Sequence, residues 1–143
     1  ISEIIEITFK EAIKIERDSS IAIISFNRAK VVNAFNNELM ETVIEQVTAI
    51  DDDDTVNAIL VRREGRACSS GFDAKAAAGR EMKSVTDWEQ QLKLQFDFIM
   101  QFWNSRKPTI ALVHSYCLAG AFKFALACDK TIATKTTPSL RTV

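Results

Sequence analysis

Two strand-to-helix corners built from small residues are the parts of this sequence that could carry chemistry. In the first, an apolar run at 109–113 predicts a buried strand, and the apolar segment 122–128 predicts a helix. The first N–H groups of a helix have no partner inside it, so the small residues between these segments can polarise a carbonyl oxygen. Gly120 is the expected contact because it has no side chain to block a ligand. The alternative is that Gly120 only lets the helix pack closely on the strand.

The second corner lies in residues 67–75, between a predicted strand at 56–61 and the helix-prone alanines 76–78. The strand is apolar throughout 58–61, which is typical of a central strand, and residues 62–66 read as a charged turn. Two such corners can face each other across one ligand atom and donate two N–H groups to it. Together they are more informative than either glycine alone.

Length and composition predict one soluble domain, which we assign to residues 1–143. Apolar residues make up 47% and charged residues 26%, so neither disorder nor a membrane span is indicated. The first ten residues are too acidic for a targeting signal, and we expect a cytoplasmic protein, with an organelle matrix as the alternative. The net charge of -1 argues against nucleic acid as the main partner.

The residues that could bind a metal ion form no convincing site. Cys68, Cys117 and Cys128 contain no CxxC pair and could be joined only by His114, so we expect reduced, mostly buried thiols. Four aspartates stand in a row at 51–54, but adjacent side chains on a loop diverge and repel one another. They favour a solvated turn over a cation cage.

The elements that must position these corners begin with a hairpin at residues 11–26, turning at 17–20. Asn36 or Asn37 then caps a helix whose apolar residues recur at helical spacing, namely Met40, Val43, Ile44 and Val47. A long helix begins at Thr86 and Asp87 and ends before Pro108. It carries a broad apolar stripe, which we interpret as core or as a subunit interface: Trp88, Leu92, Phe96, Ile99, Met100 and Trp103. Residues 131–134 predict a last strand, and the polar tail at 135–143 has no usable pattern.

Three segments in register resemble the crotonase superfamily, the enoyl-CoA hydratase and isomerase group. They are Asn27 and Arg28 with residues 33–36, residues 65–73, and residues 107–129. The resemblance implies an α/β fold of strand-strand-helix units wound into the ClpP/crotonase spiral, assembled as homotrimers or as hexamers of paired trimers. Family members are close to twice this length, so it also implies the N-terminal part of the fold, incomplete at the C-terminus.

The same resemblance implies an acyl-CoA ligand whose thioester oxygen lies in an oxyanion hole formed by the N–H groups of Phe72 and Gly120. Negative charge builds on that oxygen as an enolate forms. The segment Phe72, Asp73, Ala74 and Lys75 would line the CoA moiety, and Lys30 would lie near its phosphates, where a cation is favourable. Coenzyme A enters as part of the substrate, so we expect no separate cofactor and no metal.

Three departures from the family bear on activity. Lys123 stands where hydratases carry a catalytic glutamate, Ala119 and Ala121 replace glycines, and no second acid is recognisable in residues 135–143. A protonated lysine has no lone pair to activate water, so Lys123 could replace the glutamate only if burial kept it neutral. The alternative is that it reaches solvent or pairs with a carboxylate.

His114 precedes the turn and is interpreted as structural, so the catalytic residues stay unassigned. Asp73 and Asp129 are the first acids to test if the chain proves active. We therefore expect enoyl-CoA hydratase or isomerase chemistry, or else a non-catalytic acyl-CoA-binding or assembly subunit. A third interpretation is that the chain is a portion of a longer protein.

Overall fold

The computed structural model describes residues 4–9, 13–26, 35–63, 72, 79, 81–113, 116–118, 120–133 and 139–141. The strands in these ranges are β1 (Ile4–Phe9), β2 (Ile13–Asp18), β3 (Ile21–Phe26), β4 (Ala58–Arg63), β5 (Thr109–Val113), β6 (Tyr116–Leu118), β7 (Lys130–Ala133) and β8 (Ser139–Arg141). The helices are α1 (Asn37–Asp51), α2 (Val85–Asn104) and α3 (Gly120–Ala127).

The main sheet of the described residues has six strands in the order β1-β2-β3-β4-β5-β7. The pairs among β1, β2 and β3 are antiparallel, whereas those joining β3, β4, β5 and β7 are parallel. β4 lies between β3 and β5, which confirms the central position predicted from its apolar run. Neither β1 nor β8 is predicted from the sequence: β1 pairs through a register shift between Ile4 and Ile7, and β8 has three residues.

A short second pairing follows each parallel strand, and this gives the chain a strand-strand-helix repeat. Phe35 and Phe72, which follow β3 and β4, form a parallel bridge with each other. β6 and β8, which follow β5 and β7, form a separate parallel pair. This is the repeated unit that the resemblance implies. β6 is an addition, because it lies where the sequence predicts only an irregular turn.

The predicted hairpin is confirmed, with Asp18 opposite Ile21 and only Ser19 and Ser20 between the strands. Ser19 has φ 53, in the left-handed region that a tight hairpin turn requires. At the start of α1, Asn36 Oδ1 accepts a hydrogen bond from the Leu39 N–H at 2.9 Å, so Asn36 is the cap of the two candidates.

The core lies between one face of the main sheet and the inner sides of the three helices. It includes Ile24, Val61 and Ala111 from the sheet, together with Val43, Phe98, Phe124 and the predicted buried thiol of Cys128. Alternate residues of β5 are buried, and the others are half-buried, so its second face is less covered than its composition predicts. Within the described ranges, no helix has both the length and the apolar character needed to span a bilayer.

Most of the predicted stripe on α2 lies outside the core, although Ile99 packs against it. Trp88, Leu92, Phe96 and Trp103 are more than half exposed, while Ile99 and Met100 are half-buried. α2 begins at Val85, after a capping box between Ser84 and Asp87, and packs inward through Phe98 and Phe102. The core interpretation is therefore wrong for the four exposed residues, because α2 has apolar residues on two neighbouring faces and periodicity does not say which face packs. The subunit-interface alternative stays a prediction.

β4 continues through Arg62 and Arg63, which the sequence predicts to be in a turn. Arg63 is buried, and Arg62 Nη2 contacts the buried carboxylate of Glu16 at 2.8 Å, with Lys14 Nζ at 3.1 Å from the same side chain. Burial raises the pKa of Glu16, but hydrogen bonds and charge from Lys14 and Arg62 outweigh it and leave the pKa below its ordinary value. The Glu16 carboxylate is therefore neutralised by Lys14 on β2 and by Arg62 on β4. Because Arg62 has this partner within the sheet, β4 can continue past Val61 to Arg63.

The aspartates at 51–54 diverge as predicted. Asp51 accepts a hydrogen bond from Ser105 Oγ at 2.6 Å, Asp52 contacts Arg106 Nη2 at 2.8 Å, and Asp53 contacts Arg17 Nη1 at 2.8 Å. These contacts join the end of α1 to the end of α2 and to β2.

We expect Asp53→Asn to be less stable than wild type at neutral pH and to approach it in strong acid. Hydrogen bonds from Thr55, followed by that from Arg17, lower the pKa of Asp53 to about 2. An unfolded aspartate titrates near about 3.9. The stabilisation is therefore complete above about pH 4 and is lost as the pH falls towards 2. Urea unfolding of both proteins across this range measures the difference, and a difference that does not change with pH would contradict the assignment.

Candidate functional site

Gly120 is the first residue of α3 and follows β5 and β6, so the first predicted corner is present. The opening N–H groups of α3 have no acceptor within the helix, and the helix dipole adds partial positive charge at this end. The corner can therefore donate hydrogen bonds to a carbonyl oxygen placed above it.

The direction of α3 is fixed by a face of small and aromatic residues. Ala121, Phe124 and Ala125 are fully buried, and Thr131 Oγ1 donates to the Ala125 carbonyl at 2.9 Å. Alanine side chains let a helix lie close to the strands beneath it. Ala121, one of the two departures from the family glycines, therefore serves as a core contact beside the corner.

Phe72 belongs to the second corner and is placed by Phe35. Their backbones form the parallel bridge, and their rings meet edge to face with centroids 6.1 Å apart. Phe72 is half-buried and packs against the main core. Its backbone is therefore held on one side by a strand-type contact, next to the start of α1.

The Phe35 ring connects the two corners. Besides Phe72, it contacts Phe124 of α3 at 5.9 Å and Phe98 of α2 at 4.8 Å between centroids. Phe72 and α3 thus share one neighbour that is itself 1% exposed. Phe35 lies in a segment that carries the family resemblance, but the sequence pattern gives its ring no role, since these contacts depend on pairing between distant segments.

Lys123 lies on the outer face of α3 and is exposed. Leu126, three residues further along the same face, is 60% exposed. The buried environment that a neutral lysine base requires is therefore not provided by α3. The interpretation that the Lys123 side chain reaches solvent is confirmed.

Asp129 is hydrogen-bonded to Thr109 at the start of β5. Its Oδ2 accepts hydrogen bonds from the Thr109 N–H at 2.7 Å and from Thr109 Oγ1 at 3.1 Å, and its own N–H donates to Thr109 Oγ1 at 3.1 Å. Thr109 begins β5, whereas the Gly120 corner follows the other end of that strand, about 13 Å away at about 3.3 Å per residue. Asp129 therefore ties the end of α3 to β5 and does not face the corner.

Five of the candidate residues lie outside the described residues: Lys30, Asp73, Ala74, Lys75 and His114. The roles of Lys30 and of Asp73, Ala74 and Lys75 in holding CoA stay predictions. Within the described ranges, no group of three or more His, Cys, Asp or Glu residues could hold a metal ion.

A cleft of ≈ 420 Å³ lies between the N-terminal parts of α1 and α2. Asn37 and Gln91 line it and exchange two amide hydrogen bonds, at 2.9 and 3.0 Å, which join the two helices. Six of its eight lining residues are polar or charged, including Glu41 and Glu81. A pocket for an alkyl chain is mostly apolar, so we do not assign this cleft to an acyl group.

The family model for enoyl-CoA hydratase/isomerase matches residues 16–139. A probable enoyl-CoA hydratase echA8 of Mycobacterium bovis is 34% identical over 88% of this chain and 47% of its own length. The 4-chlorobenzoyl coenzyme A dehalogenase-1 of an Arthrobacter species is 26% identical over 85% of this chain and 45% of its own length.

Among solved structures, an enoyl-CoA hydratase/isomerase from Xanthobacter autotrophicus Py2 superposes with a TM-score of 0.86 and 40% identity, covering 90% of this chain and 48% of the other. This establishes the crotonase-type fold expected from the sequence. The chain belongs to the enoyl-CoA hydratase/isomerase family, and it spans about half the length of the relatives it matches.

We expect Asp129→Ala to destabilise the fold by about 1–3 kcal/mol, because it leaves the N–H of the buried Thr109 without its acceptor. Asp54→Ala, at an exposed aspartate, is the control and should change stability by less than about 0.5 kcal/mol. Denaturant unfolding measures both variants. Equal stability of the two would contradict the structural role of Asp129.

Proposed function

We propose that this chain binds an acyl-CoA thioester and holds its carbonyl oxygen between the backbone N–H groups of Phe72 and Gly120. The observation that carries the proposal is the contact of Phe72 and α3 with the same buried Phe35 ring. Membership of the enoyl-CoA hydratase/isomerase family supports it. CoA is then part of the substrate, and the step needs no other cofactor.

The chemistry that such a site favours is charge development on the thioester oxygen. Two N–H donors stabilise an enolate more than the neutral thioester, since a hydrogen bond to a charged acceptor is the stronger one. In the proposal, Lys30 neutralises CoA phosphate charge, and Asp73, Ala74 and Lys75 continue the binding surface from Phe72. The two relatives are named for different reactions, but both names include an acyl group linked to CoA. We therefore propose acyl-CoA binding and do not choose one reaction.

A second candidate is a non-catalytic acyl-CoA-binding or assembly subunit. It is favoured by Lys123, which occupies the position that the resemblance assigns to a catalytic glutamate and which lies on the exposed side of α3. An exposed, protonated lysine can donate a proton but cannot accept one from water. The homotrimer or hexamer implied by the resemblance belongs to both candidates, as does the cytoplasmic or organelle-matrix location.

We expect acetoacetyl-CoA to bind with measurable heat, while acetoacetate binds much more weakly, because the free acid lacks both the thioester and the nucleotide. Gly120→Pro should weaken thioester binding and lower any turnover by roughly a hundredfold. Proline is tolerated at the first position of a helix, where it removes the N–H group and adds a side chain.

Gly120→Ala is the matched control, because it adds a side chain but keeps the N–H group. Isothermal titration calorimetry on wild type, Gly120→Pro and Gly120→Ala separates the loss of the N–H group from the addition of a side chain. Equal affinity for the acid and the thioester would refute the proposed ligand, and equal binding by the proline and alanine variants would refute the donor role of Gly120.

We expect little hydration of crotonyl-CoA by the wild-type chain, and little more by Lys123→Glu. Lys123 cannot accept a proton from water, and restoring one acid leaves the contribution of its partner absent, since such contributions are strongly non-additive. The loss of crotonyl-CoA absorbance at several pH values provides the measurement. Robust wild-type turnover that rises with pH would show instead that Lys123 acts as a base.

A further inference from the structure

Phe35 contacts the two corners through different parts of one residue. Its backbone forms the parallel bridge with Phe72, and its ring centroid lies 5.9 Å from that of Phe124 on α3. Phe124 follows Gly120 by four residues, which is about one turn, or roughly 6 Å along the helix axis. The relative position of the two candidate N–H donors therefore depends on how far the Phe35 ring lies from the Phe35 backbone.

The Phe35 ring is held in place by rings from other elements. The centroid of Phe26 on β3 lies 5.4 Å away and that of Phe98 on α2 lies 4.8 Å away, both with the rings edge to face. Phe35 itself is buried. Protein interiors have little free volume, so a ring with neighbours on several sides has one favourable position. Phe35 can therefore act as a fixed spacer between the bridge and α3.

We propose that Phe35 is a positioning residue for the oxyanion hole. This rests on the function proposed above, in which Phe72 and Gly120 donate to the thioester oxygen. A smaller, more flexible side chain at position 35 lets α3 shift relative to the bridge, so that the two N–H groups no longer point at one oxygen atom. Groups in such a site must be held within about 0.5 Å of the productive geometry. A misplacement of about 1 Å costs on the order of a hundredfold in rate.

This role affects the charged form of the ligand more than the neutral form. Hydrogen bonds to an enolate oxygen are stronger than those to a neutral carbonyl, and they weaken steeply when the donor is misaligned. In the proposed function the CoA moiety is held by Lys30 and by residues 73–75, and not by Phe35. A change at Phe35 should therefore lower the stabilisation of an enolate much more than it lowers the affinity for CoA thioesters.

Phe102 of α2 provides a matched control for the loss of a buried ring. It is fully buried and belongs to the same core as Phe35. Among the described rings it contacts Phe98 and Phe124, with centroids 5.8 and 5.4 Å away, and it does not contact Phe72. Phe102→Leu therefore opens a similar space beside α3 but keeps the ring between Phe72 and Phe124. We expect it to lose about as much stability as Phe35→Leu.

Acetoacetyl-CoA tests the role of Phe35, because its enolate absorbs more strongly in the near ultraviolet than its neutral form. The enolate forms by loss of one C–H proton to the solvent. We expect wild type in excess to raise the ratio of enolate to neutral ligand, at fixed pH, above that of the ligand in solution. Phe35→Leu should lower the ratio from the wild-type value by about tenfold or more, and Phe102→Leu by less than about twofold.

Two further measurements show whether Phe35→Leu acts on the site alone. Isothermal titration calorimetry gives the affinity of each variant for acetoacetyl-CoA, and urea unfolding shows that each variant is folded. If the leucine variant does not fold, Phe35→Met provides the same test, because its flexible side chain can fill the space but has no rigid ring. The methionine variant should also lower the ratio.

The outcomes distinguish the role of Phe35 from the proposed function. If wild type does not raise the ratio, or if Gly120→Pro leaves it unchanged, the oxyanion hole is refuted, and the role of Phe35 with it. If wild type raises the ratio but Phe35→Leu and Phe102→Leu lower it equally, only the role of Phe35 is overturned. An equal fall in the ratio and in the affinity for Phe35→Leu would show a structural role alone and would also overturn the proposal.

Discussion

The packing of Phe35 against four other rings is the contact on which the rest of the structure depends. Its neighbours are Phe26 of β3, Phe72 of the second corner, Phe98 of α2 and Phe124 of α3, with centroids 4.8–6.1 Å away. One side chain therefore joins the sheet, two helices and a short bridge. Because protein interiors are packed as densely as organic crystals, a change in the volume of this ring is transmitted to each of these elements.

The two ends of the parallel strands serve different purposes. At the amino ends, Asp129 holds Thr109, and the aspartates at 51–53 hold Ser105, Arg106 and Arg17 through short hydrogen bonds. At the carboxyl ends lie Phe72 and Gly120, the residues of the proposed oxyanion hole. Ligands of open parallel sheets bind at the carboxyl ends, so the fixed charges at the opposite end hold the strands away from the proposed site.

Local signals in the sequence predict most of the helices and strands. The features that the sequence does not predict depend on contacts between distant segments. The Asn36 cap, the hairpin and the end of α2 before Pro108 follow from a few neighbouring residues. Arg62 and Arg63 look like a turn because the partner of Arg62 is Glu16 on another strand. Likewise, the two apolar faces of α2 have the same periodicity, and only tertiary packing chooses Phe98 over Phe96. In the candidate site, the residue pattern supplies Gly120 and the resemblance adds Phe72, whereas the Phe35 contact between them needs the fold.

The mixture of pairings in the main sheet also sets the order in which the chain can assemble. β2 and β3 meet through a two-residue turn at Ser19 and Ser20, so closing that contact costs little chain entropy. The parallel contacts are distant in sequence: Ile21 pairs with Ala58, and Ile59 pairs with Thr109. Contacts of high sequence separation form slowly, because the intervening chain must be ordered first. We therefore expect folding to start from the antiparallel edge, and the two strand-to-helix corners, which depend on the parallel strands, to be completed last.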